Sequence, residues 1–102
     1  MATQATINER IDLKLSAIAA EIDNLPAIEE DWPHMLDDHQ AAFLLEWDEL
    51  VTRMESLDSA ARSYQMTATQ QAHYRDLLHK LAEAMPIVVR LGLSRPQITH
   101  TL

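Results

Sequence analysis

The sequence predicts an all-α protein, and three observations carry that reading. The chain of 102 residues holds a single glycine and four prolines against many Ala, Leu, Glu and Gln, which leaves little turn chemistry for a β protein. Apolar residues recur at alternating steps of four and three in three separate stretches. Between those stretches stand the residues that stop and start helices, Pro26 and the Thr67-x-x-Gln70 capping signature. The expected architecture is a bundle of three long helices in which helices 2 and 3 form an antiparallel hairpin, with helix 1 laid across it.

The first helix is expected from about residue 6 or 8 to residue 25, capped by Thr6 with Glu9 three positions on. Ile7, Ile11, Leu15, Ile18, Ile22 and Leu25 form its stripe, at the spacing of a seam between helices. Leu13, Ala17 and Ala20 lie on the opposite side, which points to a second contact. Pro26 is expected to end this helix, because proline donates no backbone hydrogen bond and pushes its predecessor out of the α region. Residues 26–34 then read as an acidic connection holding Trp32 and Pro33. Trp32 in a linker either covers the end of the core or anchors a partner.

The second helix is expected from about residue 38 to 64, started by Asp31 or by an Asp37-x-x-Gln40 capping box. At 1.5 Å per residue it would be about 40 Å long. Its seam is Phe43, Trp47, Leu50, Met54, Leu57, Ala61 and Tyr64, widened by Leu44 and Val51. The reverse face carries Leu45 among small residues (Ala41, Ala42, Thr52, Ser56, Ser59, Ala60, Ser63), which would let a second copy approach closely in a homodimer contact. The third helix is expected from about residue 68 to Gly92, with Tyr74, Leu78, Leu81, Met85 and Val88 as its seam. Pro86 lies inside it and should kink or restart the helix, and Gly92 suits the position just past its end. Residues 93–102 show no periodicity and read as a mobile or docking tail on a single domain spanning 1–102.

Charge bounds the partners. The net charge is -8 at pH 7, which disfavours direct binding to phosphate backbones. Residues 1–60 hold 14 acids against three bases, net -11, and residues 61–102 hold two acids against five bases, net +3. The halves should therefore attract each other. No Lys or Arg occurs between Lys14 and Arg53, although ten acids do. Such a run is either a solvated rim or a docking surface for a basic protein. There is no cysteine, hence no disulfide framework and no thiolate metal site. No apolar run reaches the roughly 20 residues of a membrane span, and the expectation is a soluble, cytoplasmic chain.

Chemistry-bearing constellations are sparse. His73, Asp76, His79 and Glu83 follow at helical steps, and Asp31, His34, Asp37, Asp38 and His39 form a second group; either would be a metal site only if several side chains converged. Glu46-x-x-Glu49 followed by Glu55-x-x-Asp58 resembles the magnesium-binding carboxylates of all-helical nucleotide pyrophosphohydrolases. That family sets its two pairs on separate helices, whereas one helix holds both here, so they cannot converge on one ion cluster. Arg75-x-x-x-His79 is similar to the arginine-to-histidine motif of HEPN ribonucleases, at shorter spacing and without the intervening polar residue. No glycine-rich phosphate loop is present, and no Ser nucleophile stands beside a convincing base.

The expected function is thus non-enzymatic, with no cofactor. It is a protein–protein interaction module, homo-oligomeric or a small subunit of a larger assembly. The alternatives are an acidic inhibitor or antitoxin-like protein on a basic target, and a metal-dependent helical enzyme using the His73 group. The residues expected to meet a partner are Asp37, Asp38, Glu46, Glu49, Leu45, Leu13 and Trp32.

Overall fold

A computed structural model describes residues 3–98, and it is all-helical, with no strand among them. The first long helix is bent into α1 (Gln4–Asp23) and α2 (Leu25–Asp31), followed by a 3-10 turn at Trp32–His34; α3 spans Asp37–Arg62 and α4 spans Ala68–Arg90. The described residues measure 44 × 30 × 19 Å. That long axis matches one 26-residue helix, which rises about 39 Å.

The three stripes meet in one core. Ile11, Leu15, Ile18, Ile22 and Leu25 from the bent first helix, Trp47, Leu50, Val51, Met54 and Leu57 from α3, and Tyr74, Leu77, Leu78, Leu81 and Val88 from α4 are all buried. Each such apolar side chain taken out of water contributes about 1.5–3 kcal/mol before its entropy cost. The most extensive backbone contact is of α1 with α4 and then with α3.

Cross-helix bonds record which turns lie together. Near the start of α4, the Gln70 amide donates to the Asn8 carbonyl (3.1 Å) and to Asp12 Oδ1 (3.0 Å). Further along, Lys80 meets Asp23 at 2.8 Å, and at the far end Arg90 grips Glu29 through two bonds of 2.6 and 2.9 Å. Between α3 and α4, the Tyr74 hydroxyl donates to Asp58 Oδ1 at 3.1 Å.

Several helix ends differ from expectation, each for a local reason. Helix α1 starts at Gln4, because Thr3 rather than Thr6 is the cap, its hydroxyl accepting from the Thr6 amide at 3.2 Å. Pro26 does not end the first helix. It sits in the opening turn of α2, where its missing N–H would be unpaired anyway, so the chain bends at Asn24 and continues helical through Asp31. At α3 the Asp37-x-x-Gln40 box is not made; Leu36 is the cap residue without a side-chain bond, and the Gln40 amide instead donates to the Trp32 carbonyl at 2.7 Å.

The α3 seam stops short of Tyr64. Helix α3 closes in a Schellman turn, with Gln65 N–H donating to the Ala60 carbonyl (3.0 Å) and Tyr64 N–H to Ala61 (3.4 Å). Tyr64 therefore occupies the left-handed position at φ 58° and is 90% exposed. At the start of α4, Thr67 and Gln70 form the full capping box that their spacing predicts. Helix α4 holds Pro86 within one uninterrupted span rather than restarting there. It ends in a second Schellman turn with Gly92 at φ 69° and Leu93 N–H donating to the Val88 carbonyl at 2.9 Å.

Residues 93–98 are described and lie against the helices: Leu93 is buried and Ile98 packs on the core. Positions 99–102 of the expected tail fall outside the described residues.

Candidate functional site

The base-free stretch folds into the second half of α1, all of α2, the 3-10 turn and the first half of α3. Part of its acidity is neutralised internally. Asp23 pairs with Lys80 and Glu29 with Arg90, both partners coming from the basic C-terminal half. Arg90's hydrogen bonds hold the Glu29 carboxyl below its ordinary range, and the same contact raises Arg90. The hydrogen bond to Asp23 likewise raises Lys80. Glu49 approaches Arg53 at 3.8 Å within α3.

The remainder is not neutralised. Glu21, Glu30, Asp31, Asp37, Asp38 and Glu46 are exposed and make no ion pair among the described residues. Asp37 and Asp38 stand in the first turn of α3, where unpaired amide N–H groups and the helix dipole favour negative charge. That local benefit accounts for their position without a partner; Glu21, Glu30 and Glu46 have no such local role.

Glu46 and Glu49 are brought together. With Glu21 of α1 and Arg53 they line a cleft between α1 and α3 whose apolar members are Phe43, Trp47 and Leu50. Trp32 continues this region: half-buried, it meets Phe43 edge-on with ring centroids 5.9 Å apart. Leu45 is 69% exposed on the outer side of α3, and Leu36, immediately before Asp37, is 66% exposed. Sequence reasoning passed over Leu36, although an apolar residue adjoining two helix-starting aspartates is a legible signal. Leu13, 70% exposed on α1, takes part in none of these contacts.

The histidine groups do not assemble into a centre. His73 and Asp76 are exposed and line a cleft between α1 and α4 beside Lys80. Among the described residues no three His, Asp or Glu side chains are grouped to hold a metal ion. Clefts of about 190, 270 and 210 Å³ lie along the helix seams. All three fall below the roughly 300–1,000 Å³ usual for small-molecule pockets. No described helix is long and apolar enough to cross a membrane.

The buried polar groups are structural. Asp58 accepts from Tyr74 and from Arg62 Nε (3.1 Å), and Gln70 bonds on both its oxygen and its nitrogen. Among the described residues no buried side-chain polar atom lacks a hydrogen-bond partner. No protein-family model matches the chain, and neither a curated protein nor a solved structure is significantly similar to it.

Proposed function

We propose that the chain is a non-enzymatic protein–protein interaction module that offers the N-terminal half of α3 to a basic partner protein. The observation that carries this reading is the coincidence of exposed leucines with unneutralised acids: Leu36 and Leu45 on a segment that also presents Asp37, Asp38 and Glu46. Apolar contact gives such a surface affinity, while like-signed charge steers association and rejects acidic partners. Occupation of a basic site on a target, as an inhibitor does, is the form of this function that the acidity favours. Self-association through Leu13 or Leu45, giving a homodimer, is the competing form, and the small outer residues of α3 favour it.

The cytoplasm is the proposed setting, a reading supported by the cysteine-free composition. Direct nucleic-acid binding is left out on charge. Within the bundle we take α3 and α4 as an antiparallel hairpin, supported by the Asp58–Tyr74 bond near the turn and the Trp47–Ser94 bond far from it. We take Pro86 as a bend in α4, because the helix lacks one backbone donor there.

The test is the combined substitution of Asp37, Asp38, Glu46 and Glu49 by Lys. The proposal expects partner binding to be lost while circular dichroism stays helical; unchanged binding contradicts it.

A further inference from the structure

Beyond Gly92 the chain turns back over α3 and is held there by side chains. Leu93 is buried as the apolar member of the Schellman turn and belongs to the end of α4. The five residues after it form no helix or strand. Among the described residues their polar contacts all reach α3: the Trp47 indole N–H donates to the Ser94 carbonyl at 2.7 Å, the Ser94 hydroxyl donates to Asp48 Oδ1 at 2.6 Å, and the Gln97 backbone N–H donates to Glu55 Oε2 at 2.9 Å. Ile98 adds partial apolar burial.

We propose that residues 94–98 are a strap that opens and reseats on α3 as a unit while the helices stay folded. Leu93 is its pivot, because burial and the Val88 bond hold that residue to α4. Pro96 fixes its own φ and restricts Arg95 to extended backbone, so the strap is stiff and loses little entropy on closing. A short segment held by three polar bonds and two half-buried side chains, Pro96 and Ile98, belongs to the low end of the range of local opening energies, far from the helical core.

Opening uncovers the edge of the Trp47 indole and releases Asp48 and Glu55, two further carboxylates on the helix that carries Glu46 and Glu49. The closed strap is then an internal competitor for part of the acidic face; this consequence rests on the partner-binding reading above, whereas the strap's opening does not.

Residue-resolved hydrogen exchange on the intact chain tests the proposal. The Gln97 amide and the Trp47 indole N–H should exchange at least about 100-fold faster than the amides of Leu57 and Leu78, at rates insensitive to low denaturant. Glu55→Ala should speed Gln97 exchange a further ~10-fold, by removing an acceptor whose bond is charge-assisted, and leave the core amides unchanged. Exchange of Gln97 and the indole at core rates with the core's denaturant dependence would overturn the strap. A chain whose strap opens but which captures no partner removes only the partner-binding reading.

Discussion

The Tyr74 hydroxyl donates to Asp58 Oδ1 at 3.1 Å, and both residues are at most 1% exposed. A carboxylate on α3 and a phenol on α4 thus bond to one another inside a mostly apolar core, with Arg62 reaching Asp58 from the surface side. Removing a partner from a buried polar group costs more than the bond itself contributes. Tyr74→Phe should therefore lower stability by about 1–3 kcal/mol, read as a lower urea midpoint at unchanged slope.

The same pair sets a pH dependence. Burial first, and the Asp58 charge second, push the Tyr74 hydroxyl above its ordinary range near 10. The folded chain keeps a proton that the unfolded chain releases, so this contribution is fully present below about pH 10 and is lost as pH rises beyond it. Denaturation midpoints from pH 9 to 12 should fall more steeply for the native chain than for Tyr74→Phe.

Tyr64 pays a conformational penalty with little packing in return, being 90% exposed at φ 58°. Glycine adopts that backbone without strain but loses more freedom on folding. Tyr64→Gly should stabilise the chain by about 0.5–1 kcal/mol, seen as a melting temperature roughly 2–8 °C higher.

The Glu29–Arg90 clamp ties α2 to the end of α4 through two charge-assisted bonds. Arg90 holds Glu29 below its ordinary value of 4.5, so its stabilisation is present above that value and is lost as pH falls through the depressed one. Arg90→Ala should be less stable at neutral pH and show a shallower acid limb in a stability titration. Salt should narrow the difference between the two proteins, since the pair is exposed.

The helices were legible because burial imposes a period: Ile11, Leu15, Ile18, Ile22 and Leu25 of the first stripe and Tyr74, Leu78, Leu81 and Val88 of the α4 stripe are buried, while Ile7 and Met85 are half-buried and Leu77 and Ala84 join the core from beside the α4 stripe. Thr67, Gln70 and Gly92 were legible because each acts through bonds within a few residues of itself. Pro26 was not, since proline suits a helix's opening turn as well as it stops a helix. Tyr64 misled because it continues the four-three period; the turn that ejects it uses backbone bonds that carry no side-chain signature. Asp58 looks like one more surface acid beside Leu57 until Tyr74 arrives from another helix. Of the surface, the acids and Leu45 could be read as outward-facing from periodicity, whereas the engagement of Trp47, Asp48 and Glu55 by residues 94–98 joins positions more than 40 apart that no local pattern links.

The most direct test of the partner-binding claim is a paired affinity purification at low salt from the native host, using tagged native chain and tagged Leu45→Glu. Both should show helical circular dichroism, since Leu45 is 69% exposed. The account predicts a stoichiometric basic protein that elutes with added salt from the native chain and is missing from the variant. Recovery of the same proteins by both baits, or of only the chain's own untagged copy, would contradict it.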